Sequence, residues 1–450
     1  MPSTSTDPSL TAQRIAPPAS TEDPQHTAPS LMRRLLSGAI LDIGPLRKHR
    51  DFRLLFIGQS VSLFGNMMTT VALPYQVYTL THSPLAVGLI GAAQIIPVLA
   101  LAFVGGALAD AFDRRWLVLI TELLLIGCSG ALLLNALSSR PQLWLLYAVA
   151  ALAACLDSLQ RPSLSALIPR LVEREELPAA SALVGLRKTL GTILGPSLGG
   201  LLIASFGLPS AYGIDVATFV VSLIALGLMH AVPPAPNAEH PSVRSVIEGL
   251  RYVASQPTLR AVYLLDMVAC FIGWPYAVFP ALAVLYTQHA RALPVATVLG
   301  LLYSAPAVGS LLASLTSGWT KRIHRHGLAI ALAEGAWGLA LAGVGLAATL
   351  PVALLCLALV GVADVLSSVF RQVISNQVVP DALRGRVAGI ELLCYTSGPM
   401  LGDVESGAVA TFFTAPIALL AGGVLCALSV GALIVGIPAL RKYDNRSGAS

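Results

Sequence analysis

The chain has 450 residues, 55% of them hydrophobic and only 11% charged, with a mean hydropathy of +0.76. A soluble domain carries about 25% charged residues, so this composition excludes a water-soluble multidomain protein and points to a surface that faces lipid. The net charge of +5 matters through where the basic residues fall.

Residues 1–45 are rich in Ser, Thr and Pro with no sustained apolar run. Such a segment cannot bury a core and is expected to be disordered. No signal peptide is expected, because the first long apolar run begins only near Phe52. A membrane-spanning helix needs about 20 mostly apolar residues. Twelve runs meet that need in chain order: 53–78, 85–109, 116–137, 142–168, 179–204, 209–232, 260–286, 294–319, 327–349, 351–377, 385–412 and 415–439. Most connections are short. The exception, 233–259, contains PPAPN and then a stripe of Val243, Val246, Ile247, Leu250, Tyr252 and Val253 with charges at Arg244, Glu248 and Arg251. That pattern predicts an amphipathic helix at the membrane surface, dividing the spans into bundles over 46–232 and 260–440, with a short tail at 441–450.

Basic residues cluster on alternate connections, at Arg47–Arg53, Arg114–Arg115, Arg170–Arg174, Arg244–Arg260, Lys321–Arg325, Arg384–Arg386 and Arg441–Arg446. Arg140 and Arg291 are the basic residues on the other side. Cytoplasmic connections carry the Lys and Arg excess, so both termini are expected inside a bacterial inner membrane, with an even number of crossings. The charge is thereby a topology signal and does not point to nucleic-acid binding.

The halves repeat. Gly88, Gly106 and Glu122 match Gly300, Gly318 and Glu334, and Pro169 matches Pro380. The run from Gly195 to Gly200 (GPSLGG) has a counterpart from Gly398 to Asp403 (GPMLGD). Parallel halves of this kind enclose a site near the midplane.

Three local patterns then carry a resemblance. The connection after the second run reads GGALADAFDRR, with Gly106, Asp110, Arg114 and Arg115. The fifth run reads GTILGPSLGG, with Gly191, Gly195, Pro196, Gly199 and Gly200. Pro196 removes a backbone donor and bends the helix, and the glycines flatten one face for close packing. ALIPRLVEREEL, QVVPDALRGRVAGI and the opening KHRDFRLLFIGQSVSLFGN complete the set. Over about 46–440 the chain resembles the major facilitator superfamily, and within it the branch of enterobactin exporters and drug:proton antiporters. The loop pattern is partial: Ala111 and Phe112–Asp113 stand where the family usually has a basic residue and then Gly. The resemblance implies an all-α fold of two pseudo-symmetric six-helix bundles. It also implies a gating role for Gly106, Asp110, Arg114 and Arg115, and a helix-five role for the Gly-Pro motif.

Ionisable groups inside the runs are costly, about 2.5–3.5 kcal/mol each on insertion scales, so each invites a function. The candidates for proton coupling are Asp157 with Arg161, Asp266, Asp364 and Glu391, and the competing reading for each is a fixed ion pair. Asp403 and Glu405 are placed to touch substrate at its exit. Tyr75, Trp274, Tyr276, Tyr303 and Tyr395 are candidates to line the cavity, against the alternative of anchoring at the interfaces. The six cysteines sit in apolar runs without metal-ligand spacing, no cofactor is implied, and no GxxxxGK[ST] or other enzyme motif occurs. The leading expectation is a monomeric, proton-coupled exporter of a small amphipathic or hydrophobic molecule (a drug, siderophore or secondary metabolite). An importer or uniporter on the same fold, and a non-transporting sensor or enzyme, remain open.

Overall fold

A computed structural model of the protein describes residues 42–111, 114–230, 243–290, 293–380, 383–441 and 443. The expected tail lies outside them apart from its last few residues. Twelve long helical segments follow among the described residues: α1 (Arg50–Thr81), α2 (Pro84–Ala111), α3 (Arg114–Leu137), α4 (Leu143–Leu171), α5 (Leu177–Phe206), α6 (Leu208–Gly227), α7 (Pro257–Gly273 and Phe279–Ala290), α8 (Val295–Thr316), α9 (His326–Leu346), α10 (Leu350–Val378), α11 (Arg384–Phe412) and α12 (Ala415–Gly436). Ten are long and apolar enough to cross a membrane by length and composition. The other two are α2, whose described apolar part is the shorter Pro84–Ala100, and α11, which carries Arg384, Arg386, Glu391, Asp403 and Glu405.

The breaks have local causes. Pro275 has no N–H and pushes the residue before it out of helical geometry. Trp274 is accordingly extended (φ −73°, ψ 122°), and one tight turn, Tyr276–Val278, joins the two parts of α7. Between α5 and α6 the chain reverses at Gly207 with φ +82°, which a residue without Cβ adopts freely.

The two halves use the same packing plan. In the first, α1 packs on α5 and α6, α3 on α4 and α6, and α2 on α4. In the second, α7 packs on α11 and α12, α9 on α10 and α12, and α8 on α10. Between halves the main contacts are α2 with α11 and α5 with α8. Twelve crossings bring both described ends of the chain to one face, called here the basic face; the other is the far face.

Both seams between halves are glycine contacts in the far-face portions of their helices. Gly200 of α5 lies against Gly300 of α8, beside a Ser197 Oγ to Ser304 Oγ hydrogen bond of 2.8 Å. Gly88 of α2 lies against the backbone of Asp403 and Val404, Gly91 against Met400, and Gly407 of α11 against Pro84. Leu85 N–H donates to Thr411 Oγ1 (3.0 Å). Small residues let helix backbones approach this closely in a membrane.

At the basic face the helix Gly44–Lys48 is clamped to the α4–α5 connection. Lys48 Nζ donates to Glu176 Oε1 (2.7 Å), and His49 Nε2 lies 2.6 Å from Glu176 Oε2. The Lys48 hydrogen bond, with His49 second, holds the Glu176 carboxyl below its ordinary value. A carboxyl lowered on folding stabilises the fold above its unfolded value and loses that contribution as pH falls through the folded one. Acidification below about pH 4.5 is expected to release this clamp. Glu176→Gln should flatten that part of the thermal stability–pH curve, with a small amplitude because the pair is near water.

The linker helix, Val243–Ser255, forms as expected. It docks on the second half: Arg386 Nη1 donates to Glu248 Oε2 (2.6 Å), and Tyr252 Oη donates to the carbonyl of Val378 (2.8 Å). Ile247 and Leu250 remain exposed.

Candidate functional site

A cavity of about 280 Å³ lies toward the far face, walled chiefly by α1, α2, α3, α4 and α6 and closed by the second half. Its polar lining is Asn66, Thr69, Thr70, Gln94, Ser129 and Asp215, with Tyr276, Tyr303 and Asp403 from the other half. Asp215 is 1% exposed. Its Oδ2 accepts from Thr69 Oγ1 and from Ser129 Oγ, both at 2.7 Å, while Oδ1 is buried without a hydrogen-bond partner among the described residues. Gly65 makes room for it, since a Cβ there would meet Thr218 and Asp215. Asp403 Oδ1 accepts the N–H of Ala277 (2.8 Å) in the turn that breaks α7. The rings of Tyr276 and Tyr303 stand 5.1 Å apart beside it, so the far-face wall combines flat apolar surface with polar tips.

Nearer the basic face each half holds a buried glutamate on equivalent helices, Glu122 on α3 and Glu334 on α9. Around Glu334 the set is ionic. Arg371 of α10 pairs with Asp266 of α7 and lies 3.5 Å from Glu334 Oε1, which also accepts from Ser367 Oγ (2.6 Å). Around Glu122 the set is neutral. Its Oε1 accepts from Gln59 Nε2 (2.6 Å), Gln160 Nε2 (3.2 Å) and Ser222 Oγ (3.1 Å), and Oε2 is buried without a partner. The positions correspond along the repeat. Gln59 follows Arg53 as Asp266 follows Arg260, and Gln160 precedes Pro169 as Arg371 precedes Pro380. The second half thus carries an acid and a base where the first carries two amides.

Of the residues singled out from the sequence, Asp157 and Arg161 form an i, i+4 pair at 2.6 Å, with side chains 38% and 64% exposed. Charged groups do not face lipid, so their exposure, with that of Asp364 and Tyr395, marks a water-accessible cleft between the halves. Asp266 is locked to Arg371. Glu391 is half-buried and makes no ion pair among the described residues. Tyr276 and Tyr303 line the cavity; Tyr75, Trp274 and Tyr395 do not. The side chains of Gly106's neighbours, Asp110 and Arg114 lie outside the described residues, whereas Arg115 donates to the carbonyls of Leu226 and Gly227 at the end of α6 (3.1 and 2.6 Å). The helix-five motif is divided between two partners. Gly191, Gly195 and Gly199 take Leu63, Met67 and Met68 of α1, and Gly200, after the bend residue Pro196, takes α8. Sequence reading gave no site role to Asp215 or Glu122. A usable signal was present for both: each is an acid in an apolar run whose partners in the first half are amides and hydroxyls.

Compared with known proteins, residues 41–450 match the family model for transmembrane secretion effectors. The chain is 30% identical over 406 residues to the enterobactin exporter EntS of Shigella boydii serotype 18, covering 88% of this chain and 93% of that protein. It is 29% identical over 383 residues to EntS of Citrobacter koseri, covering 83% and 89%. Among solved structures, the nucleoside transporter NupG superposes with a TM-score of 0.72 at 15% identity, covering 88% of this chain and 100% of that one. A bacterial homologue of the iron transporter ferroportin in an inward-facing state gives 0.63 at 18%, covering 85% and 98%. At such identities these structures speak to the fold.

Proposed function

The chain belongs to the transmembrane secretion effector family, a multi-pass major facilitator transporter and not an enzyme, and on that premise we propose that it exports a siderophore or a similar small amphipathic compound across a bacterial inner membrane. Its bundles comprise residues 46–232 and 260–440, and it works as a monomer with both termini in the cytoplasm. The observation that carries this reading is one-sided closure: glycine seams join the halves toward the far face, while Asp157, Arg161, Asp364 and Tyr395 are exposed between them. Such a state loads from the basic face. Rocking the halves about the cavity would then expose it on the other side. Coupling to inward proton flow supplies the work, and intramembrane carboxylates are its natural carriers.

The test uses inverted membrane vesicles and iron-free enterobactin as probe, with and without an imposed proton gradient. Uptake into inverted vesicles that rises with the gradient is expected. Uptake into right-side-out cells, or indifference to the gradient, would overturn the export and coupling readings respectively.

A further inference from the structure

Among the described residues the buried acids Glu122 and Asp215 of the first half have no cationic partner, whereas Glu334, the counterpart of Glu122, lies 3.5 Å from Arg371. We propose that Glu122 and Asp215 are the proton-carrying pair of this transporter, an assignment that deepens the proton-coupled reading and rests on it.

The geometry is a two-rung ladder between antiparallel helices. On α3, Glu122 and Ser129 are seven residues apart; on α6, Ser222 and Asp215 are seven apart. Each rung joins an acid to a hydroxyl on the other helix: Ser222 Oγ to Glu122 Oε1 (3.1 Å) and Ser129 Oγ to Asp215 Oδ2 (2.7 Å). Seven residues are two helical turns, about 10 Å along the axis. One rung therefore sits at the cavity and the other deeper toward the basic face. From α1 come Gln59 at the lower rung and Thr69 at the upper one, and from α4 comes Gln160.

Removing a carboxylate from water without a counter-charge costs several kcal/mol by the usual reckoning for buried ions, and the group escapes that cost by taking up a proton. The titratable groups around the ladder are Glu122 and Asp215 themselves, Cys128 on α3, and Tyr212 on α6, whose hydroxyl donates to Gln76 Oε1 (2.8 Å); across the cavity from Asp215 the second half adds Tyr276, Tyr303 and Asp403, whose Oδ1 accepts the Ala277 N–H. On α4, Asp157 and Arg161 satisfy one another. On α5, Arg187 shares a small cleft with Gln59 but forms no ion pair with Glu122 among the described residues. Arg115 engages the carbonyls at the end of α6. Asp266 differs because Arg371 pairs with it directly, and Glu334 lies 3.5 Å from the same guanidinium. The Asp266 carboxylate can therefore stay ionised and fixed, which suits an anchor better than a carrier.

The exchange balances simply. Asp215 Oδ1 takes a proton from water while the cavity is open to one side and gives it to water when the cavity is open to the other; Glu122 Oε2 does the same when the moving halves let water reach it, each transfer breaking one O–H bond and forming another. The number of bonded atoms changes only by those protons.

Infrared difference spectra of the purified protein in lipid test this without a substrate. At neutral pH the wild type should show protonated-carboxyl bands, with one component lost in Glu122→Gln and another in Asp215→Asn. In proteoliposomes Glu122→Gln should lose stimulation by the proton gradient yet keep gradient-free exchange of iron-free enterobactin, a split that a merely structural lesion would not give. If a variant fails to fold, the wild-type bands and their sensitivity to Ser222→Ala and Ser129→Ala carry the same test. Absence of protonated-carboxyl bands in the wild type overturns the assignment, as does a gradient response intact in both variants. A wild type whose transport ignores the gradient while the bands behave as expected instead overturns the coupling reading.

Discussion

Replacing Arg371 by Gln is expected to produce the largest loss of stability of any single change in the membrane region. The side chain is 11% exposed and serves two acids, Asp266 and Glu334, which are themselves nearly buried. Removing one partner of a buried ion pair costs about 3–5 kcal/mol, because the remaining charge is left uncompensated. Here two are left. Arg371→Lys should recover part of the loss, since a point charge replaces a fork that spans two carboxylates. The triple change Arg371→Gln, Asp266→Asn, Glu334→Gln should be better tolerated than Arg371→Gln alone, because the two acids in contact with the lost cation are then neutral too. Thermal unfolding of the purified protein in one detergent, followed by near-ultraviolet circular dichroism, orders the three. If Arg371→Gln proves as stable as the wild type, the cluster is not the anchor of the second half.

Gly300→Val should abolish transport by a different route. A Cβ at this position would meet the carbonyl of Pro196 and the Cα of Gly200 across the α5–α8 seam. Both are backbone, so the helices must part. Overpacking a tight contact costs about 1–3 kcal/mol, which would shift the balance between closed and open far faces by about 5- to 150-fold. Cys128 lines the cavity and is buried, so it reports the shift. With the other cysteines replaced, an impermeant thiol reagent applied from the far face should label Cys128 slowly in the wild type and rapidly in Gly300→Val. Gly185→Val on the same α5 is the control, since a Cβ there meets nothing within 4 Å. Equal labelling of Gly300→Val and the wild type would mean that the seam does not hold the far face shut.

Much of the architecture was written in the distribution of apolar and basic residues. The twelve runs coincide with α1–α12 to within a few residues because lipid admits backbone only as fully bonded helix, so length and hydropathy leave little choice. The repeat was legible through Gly88 and Gly300, and the fold gives these two glycines equivalent work at the two seams. The break in α7 was signalled by Trp274-Pro275-Tyr276 and is where the chain places it. The site was less legible. Asp157 and Arg161, one turn apart, were legible as a pair and meet at 2.6 Å, but Asp266 carries no mark that Arg371, far along the chain, will reach it. Whether an intramembrane acid is balanced depends on helices that are neighbours only after folding. Aligning the two halves at Arg53 with Arg260 and at Pro169 with Pro380 would have exposed the contrast between Gln59 with Gln160 and Asp266 with Arg371.

The two seams differ at one repeated position. Where α5 offers Gly200, α11 offers Asp403, whose backbone touches Gly88 while its carboxylate grips the N–H of Ala277. One joint closes on glycine contact and the Ser197–Ser304 hydrogen bond, and the other is tied by a carboxylate to the elbow of α7. Tyr276 belongs to that elbow and Tyr303 to α8, one residue from Ser304. The same aromatic floor therefore adjoins both joints, and a molecule resting on it would bear on the two together.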